Sequence, residues 1–265
     1  MVKERIWKMK KRKNIIIITG ASSGIGQEFA LQIDTAFSNI DEIWLIARRK
    51  ERLEEVARVM EHTTRLIVMD VTDEYATDDF EKLLEQSGAV VRMLINAAGF
   101  GLIGDFMELS LEEQLEMLLV NCEGLTKMTY LTLPFMAKGS RIIQLASGAA
   151  FLPQPNFAVY AASKSYVLSL SRALCRELAP YGIYVTAVCP GPVNTEFFAT
   201  AEQYADMPAY KKLVMISAEK CVSDALRASY RRKSMIVPGF VMKSFLAACK
   251  YLPHEFLLQM KTFLK

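Results

Sequence analysis

Short, uniformly apolar runs alternate with longer amphipathic stretches along most of the chain. Asn14–Thr19, Glu42–Ala47, Arg65–Asp70, Met93–Asn96, Arg141–Ala146, Ile183–Cys189 and Met235–Val237 read as strands, because β-branched and apolar residues cluster there without a polar residue at every second position. The stretches between them read as helices. Strands that are apolar on both faces belong in a sheet covered on both sides, and regular β-α alternation implies right-handed crossovers and a parallel arrangement. The pattern predicts an α/β fold: a single doubly wound domain over residues 13–240 with a mainly parallel sheet of about seven strands. A basic extension over residues 1–12 precedes it, and a helical segment over residues 241–265 completes the same domain.

Composition changes this picture little. In 265 residues, 52% hydrophobic and 23% charged, there is ample material for one continuous core and no sign of disorder. Charge changes it more. The net value of +3 hides an acidic body between two basic ends: residues 1–13 carry seven Lys/Arg against Glu4, and residues 221–265 carry eight against Asp224 and Glu255. A body with a deficit of cations is a poor phosphate-backbone groove, so nucleic acid is excluded as an expected partner. The five cysteines, odd in number and never spaced as CxxC, suit reduced thiols and a cytoplasmic location. With two histidines besides, no metal site is expected. No apolar run is long enough to span a bilayer, and Ile15 to Ile18 is too short for the core of a signal peptide.

Candidate chemistry begins where the first strand ends. Thr19-Gly20-Ala21-Ser22-Ser23-Gly24-Ile25-Gly26 runs straight into a helical pattern. Glycines let the backbone approach a pyrophosphate closely, and the free N–H groups of the helix N-terminus then face the anion. The second strand ends in Ala47-Arg48-Arg49-Lys50, with no carboxylate at the tip to bind free ribose hydroxyls. Arg48, and after it Arg49, are placed to meet a 2′-phosphate, so the expected cofactor is NADP(H) rather than NAD(H).

Tyr160 and Lys164 stand four residues apart, on one face of a predicted helix, and none of the other nine tyrosines has this spacing to a lysine. A neighbouring ammonium favours the phenolate, which equips Tyr160 for proton exchange with a carbonyl oxygen or hydroxyl. Ser147 closes the fifth strand, at the sheet edge where parallel strands present ligand crevices, and Asn96-Ala97-Ala98-Gly99 closes the fourth.

Together, TGASSGIG at 19–26, Asp70-Val71, NAAG at 96–99, Asn121, Ser147, YAASK at 160–164 and Pro190-Gly191 resemble the short-chain dehydrogenase/reductase family in order and spacing, from about residue 13 to residue 240. The resemblance implies a Rossmann-type NADP(H)-dependent oxidoreductase that interconverts a ketone and a secondary alcohol. Asn121, Ser147, Tyr160 and Lys164 are its implied catalytic set. Ser147 and Tyr160 would hold the substrate oxygen, Lys164 would bind the nicotinamide ribose and lower the Tyr160 pKa, and Asn121, inside the helix Leu111–Met128, would hold a relay water. On the cofactor side it implies Gly20, Ser22, Ser23, Gly24, Ile25 and Gly26 at the pyrophosphate and Arg48 and Arg49 at the 2′-phosphate. Asp70 and Val71 would meet the adenine, with Asn96, Ala97 and Gly99 beside the adenosine. Pro190, Gly191, Val193 and Thr195 would pack on the nicotinamide alongside Tyr160 and Lys164.

Substrate contacts are expected from Ser147, Ala149, Pro153 and Phe157, and from Phe197 and Phe198 in a lid around residues 195–215, with Tyr204, Met207 and Tyr210 as further candidates. Such apolar walls suit a hydrophobic ligand. The segments around Tyr160 and Pro190 resemble the hydroxysteroid dehydrogenase and long-chain 3-oxoacyl reductase branch, which implies a hydroxysteroid/ketosteroid substrate. A 3-oxoacyl reductase acting on acyl-carrier-protein or CoA thioesters is the alternative, and a non-catalytic NADP(H)-binding regulator is a second. The resemblance also implies a homodimer or homotetramer built on the helices about 111–138 and 157–178. Amid Phe245, Leu246, Tyr251, Leu252 and Phe256, Lys243 and Lys250 leave room for a peripheral membrane contact by the C-terminal segment.

Overall fold

The computed structural model describes residues 12–206 and 214–263, with side chains to residue 259. The basic extension therefore lies outside the described residues up to residue 11, as do Met207 and Tyr210. The seven apolar runs all form strands of one sheet: β1 (Asn14–Thr19), β2 (Glu42–Ala47), β3 (Thr64–Val68), β4 (Val90–Asn96), β5 (Met136–Leu145), β6 (Tyr184–Val188) and, after a small separate pair, β9 (Met235–Ile236). Their order is β3-β2-β1-β4-β5-β6-β9 and every pairing is parallel.

The four isoleucines of β1 show why the sheet must be covered twice. Ile16 and Ile18 pack with Phe29 and Ile33 of α1 (Gly24–Ala36) and with Leu53 and Val56 of α2 (Lys50–Arg58) on one face. Ile15 and Ile17 point the other way, into a layer with Phe80 and Leu84 of α3 (Glu74–Ser87) and Met128 of α5 (Leu125–Thr132). All four are fully buried, and each such side chain contributes about 2 kcal/mol.

β4 and β5 begin several residues before their apolar runs. Arg92 sits inside β4 because its guanidinium reaches the Asn14 side chain at 2.7 Å, and β5 starts at Met136 although Lys138 and Gly139 interrupt the pattern. The stretch expected as one helix from Leu111 is α4 (Leu111–Leu118), started by a Ser110/Glu113 capping box, then a π-helical segment over Leu119–Gly124, then α5. Asn121 lies in that wider turn.

Strand order reverses at β1 and β4, which opens a crevice at their carboxyl ends. Beyond β6 the chain pairs β7 (Val193–Asn194) with β8 (Ile216–Ser217), and α7 (Phe197–Ala201), which follows β7, lies against the crevice through Phe197, Phe198 and Thr200. The helix Phe240–Tyr251 closes the far end, packing through Phe245, Leu246 and Cys249 against Phe151 and Leu152. Among the described residues no helix is long and apolar enough to cross a membrane.

Candidate active site

The crevice is one continuous cavity of about 750 Å³ running from the glycine turn to the C-terminal helix. Its first end is built by backbone constraint. Gly20 has φ of +67°, and a Cβ at Gly26 would stand 2.2 Å from the Gly20 carbonyl oxygen, so a side chain at position 26 would force the turn open. Thr19 ties this turn to the end of β4 by accepting hydrogen bonds from the N–H groups of Ala97 and Ala98, both at 3.1 Å.

Arg49 converges with two hydroxyls here, donating to Ser23 Oγ at 2.7 Å and Ser22 Oγ at 3.3 Å, and it also pairs with Glu196 at 3.2 Å. Arg48, which the sequence placed first at a phosphate, instead leans on Asp70 at 3.4 Å and Glu116 at 3.7 Å. Asp70 is the next wall. Burial raises its pKa, but hydrogen bonds from the Thr72 N–H and hydroxyl, with Arg48 beside it, outweigh burial and leave the carboxyl below its ordinary range.

The other end gathers the groups that carry proton chemistry. Ser147, at the close of β5, accepts from the Ala149 N–H at 3.1 Å and its hydroxyl meets Tyr160. Tyr160 projects from the first turn of α6 (Ala158–Glu177), and Lys164, one turn on, donates to the Leu145 carbonyl at 2.9 Å with its Nζ 5.6 Å from the Tyr160 ring centre. Burial governs both groups. It pushes Tyr160 up to about 12, against a lowering contact from Ser147, and pulls Lys164 down to about 8. Desolvation of the phenolate outweighs the Ser147 contact at Tyr160. Tyr160 is a protonated phenol at neutral pH.

Aromatic rings close this end. Phe157 stacks on Tyr160 with ring centres 4.2 Å apart, and Phe197 stands 5.6 Å away on another side with Phe198 against its edge. Met242 of the C-terminal helix comes so near Gly148 and Gly191 that a Cβ on either would meet its side chain at 2.3 and 2.6 Å.

Most of the residues singled out from the sequence line this cavity: the turn from Gly20 to Gly26, Arg48, Arg49, Asp70, Val71, Ala97, Gly99, Ser147, Ala149, Phe157, Tyr160, Lys164, Pro190, Gly191, Val193, Thr195, Phe197 and Phe198. Four do not. Pro153 is exposed on the outside of its turn, and the neighbouring Gln154 faces the cavity in its place. Asn96 is buried in the sheet, donating to Thr129 Oγ1 and Gln144 Oε1. Asn121 is fully buried, its amide committed to Phe100 N and O and to Ser163 Oγ, which fixes the loop after β4 to α6. Tyr204 gives its hydroxyl to Glu113 at 2.6 Å, spanning the crevice from outside. Gln154, Met242 and Phe245 were missed; nothing in their local pattern separates them from turn and helix-packing residues.

A doubly wound parallel sheet, a glycine turn at its switch point and a Ser, Tyr and Lys cluster at the same crevice define the nucleotide-crevice class of α/β proteins. Within it, the family model described as short chain dehydrogenase matches residues 14–206, and the chain belongs to this family of oxidoreductases. It is 32% identical over 188 residues to an uncharacterized oxidoreductase of Staphylococcus epidermidis, covering 70% of this chain and 80% of that protein. It is 33% identical over 216 residues to sulfoacetaldehyde reductase 2 of Chromohalobacter salexigens, covering 78% and 84%. Among solved structures it is similar to a short-chain dehydrogenase from Sphingobium yanoikuyae in complex with NADPH, with a TM-score of 0.76 and 27% identity over 89% of this chain and 92% of that one.

Proposed function

We propose that this protein is an NADP(H)-dependent carbonyl reductase that converts a hydrophobic ketone, of the ketosteroid kind, to its secondary alcohol. The observation that carries the reading is the Ser147, Tyr160 and Lys164 cluster set among aromatic walls at one end of a nucleotide-sized crevice. Arg49 with the Ser22 and Ser23 hydroxyls is a donor set of the right chemistry for a 2′-phosphate, and the NADPH held by the Sphingobium relative supports it. The glycine turn would hold the pyrophosphate, Asp70 the adenine amino group, and Lys164 the nicotinamide ribose.

When bound, NADPH supplies the hydride to the carbonyl carbon. Ser147 and Tyr160 hold the carbonyl oxygen between their hydroxyls. As negative charge develops there, Tyr160 gives its phenolic proton to the carbonyl oxygen, which becomes more basic as the hydride arrives; burial keeps the phenol protonated until then and works against the phenolate that forms. Lys164, held in place by the Leu145 carbonyl, stabilises the phenolate that results. Phe157 and Phe197 exclude water from the reacting face.

The test is NADPH oxidation across steroid ketones, 3-oxoacyl thioesters and simple aliphatic and aromatic ketones. Turnover of apolar ketones supports the reading. Preference for acyl thioesters replaces the substrate class, and no turnover of any carbonyl overturns the reading. The pH profile follows from Lys164, whose charged form must bind the ribose. kcat/KM for NADPH, which reports groups of the free protein, is expected to be flat near neutrality and to fall as pH rises past about 8 and Lys164 loses its proton.

We also infer a homodimer through the outer face of α4, the π-helical segment and α6, where Leu115, Leu118, Leu119 and Tyr166 are exposed side chains of an apolar face. Sedimentation velocity is expected to show a dimer for the wild type and a monomer for the Leu115→Glu/Leu119→Glu variant; a wild-type monomer contradicts this.

A further inference from the structure

Gln154 is a polar side chain that the reading above leaves unused. It lines the cavity beside Ser147, Ala149 and Phe157, and only 8% of its surface is exposed. Its side-chain amide nevertheless has no hydrogen-bond partner among the described residues, and it is not one of the buried polar atoms sealed away from all access. A buried amide left unpaired by its own protein is costly unless something else pairs with it, and in a cavity wall that partner is water or ligand.

The backbone around it is held. Pro153 and Pro155 flank it, each with a fixed φ. The Phe157 N–H donates to the Gln154 carbonyl at 3.0 Å, and the Gly104 N–H donates to the carbonyl of Asn156, which sits at a φ of 61°. Phe157 in turn stacks on Tyr160, so the Gln154 turn and the phenol are fixed relative to each other through one ring. The other residues lining this end are mostly apolar, Ile103, Phe197, Phe198, Met242 and Phe245, with Thr200 and Gln203 as polar members on the side of α7. Among the described residues the cations lining the cavity are Arg49 and Lys164, assigned to the cofactor, and Arg48, paired with Asp70 and Glu116.

We propose that Gln154 is a substrate-specificity residue: it binds a second, neutral hydrogen-bonding group, such as a hydroxyl, a carbonyl or an ester, carried on the apolar body of the substrate at a fixed distance from the carbonyl that Tyr160 protonates. This rests on the carbonyl-reductase reading. A primary amide offers both two N–H donors and one acceptor, so it suits either polarity of neutral group. A neutral group fits better than a carboxylate, because among the described residues every cation lining the wall is paired or assigned to the cofactor.

The experiment compares 2-alkanones with the matching ω-hydroxy-2-alkanones over a range of chain lengths, using NADPH and the full chain. The wild type is expected to show kcat/KM about tenfold higher for the hydroxy ketone at one preferred length, carried mainly in KM, as befits one added hydrogen bond to a neutral group. In Gln154→Leu the ratio of hydroxy to plain ketone is expected to fall to about one at every length. Gln154→Met serves the same purpose if the leucine variant does not fold. Gln154→Asn, whose amide is withdrawn by one methylene, is expected to restore a preference at a longer chain, which a purely structural role would not do. Equal kcat/KM for the two series in the wild type, or a preference unchanged in the leucine or methionine variant, overturns the proposal while leaving the reductase reading intact. No turnover of either series by the wild type, together with none across the ketone panel, overturns the reductase reading itself.

Discussion

Tyr160→Phe is expected to lower kcat for ketone reduction about a thousandfold, the range of a general acid removed from a preorganised site. The substitution takes away one oxygen and nothing else that the structure uses to place the ring. Phe157 at 4.2 Å and Phe197 at 5.6 Å pack on the ring and hold a phenyl group as they hold the phenol. The hydroxyl itself meets Ser147 and is buried. Single-turnover NADPH fluorescence decay measures the loss, and a thermal melt within a few degrees of the wild type separates it from unfolding. A variant that keeps more than a tenth of the wild-type rate removes Tyr160 from the proton-transfer step.

The second large effect is at the opposite end of the crevice. Arg49→Asp is expected to reduce kcat/KM for NADPH about a hundredfold, the loss of charge-assisted hydrogen bonds to a phosphate, while kcat/KM for NADH holds or rises. The new carboxylate would face the Ser22 and Ser23 hydroxyls that Arg49 now engages and would repel a 2′-phosphate. Arg48→Asp is expected to have the smaller effect, because Arg48 already lies against Asp70 and Glu116. Steady-state kinetics with both nucleotides settle the order. Undiminished preference for NADPH in Arg49→Asp would place the 2′-phosphate elsewhere.

β1 and β2 were legible to the residue, because each is a short apolar run bounded by a turn and buried on both faces. β4 and β5 were legible as strands but not in their starts, where Arg92 and the Lys138-Gly139 pair break the run and are accommodated by tertiary contacts. The glycine turn and the Tyr160, Lys164 and Ser147 positions were legible because backbone approach and helical spacing are properties of local sequence.

What was not legible depends on neighbours far along the chain or on solvent. The π-helical segment around Asn121 spans six residues, too few for its wider period to show against a 3.6-residue pattern. Pro153 was expected in the cavity wall, but the turn it shares with Gln154 faces Pro153 outward and Gln154 inward, an orientation held by contacts with Tyr160 and with Gly104, far along the chain. Met242 reaches Gly148 from more than ninety residues away. The direction of the Tyr160 pKa depends on how much water the aromatic walls exclude, a quantity that residue types alone do not fix.

Hydride transfer itself is the central claim, and isotopic labelling tests it most directly. The ketone turned over fastest in the panel is incubated with wild-type protein and NADPH deuterated at the transferable C4 position, and the product is analysed by mass spectrometry and NMR. The account predicts a secondary alcohol that carries one deuterium on its carbinol carbon for each NADP⁺ formed, and none when the label is supplied as D₂O instead. An alcohol without deuterium at that carbon, or nucleotide bound with no alcohol formed from any ketone, would contradict it.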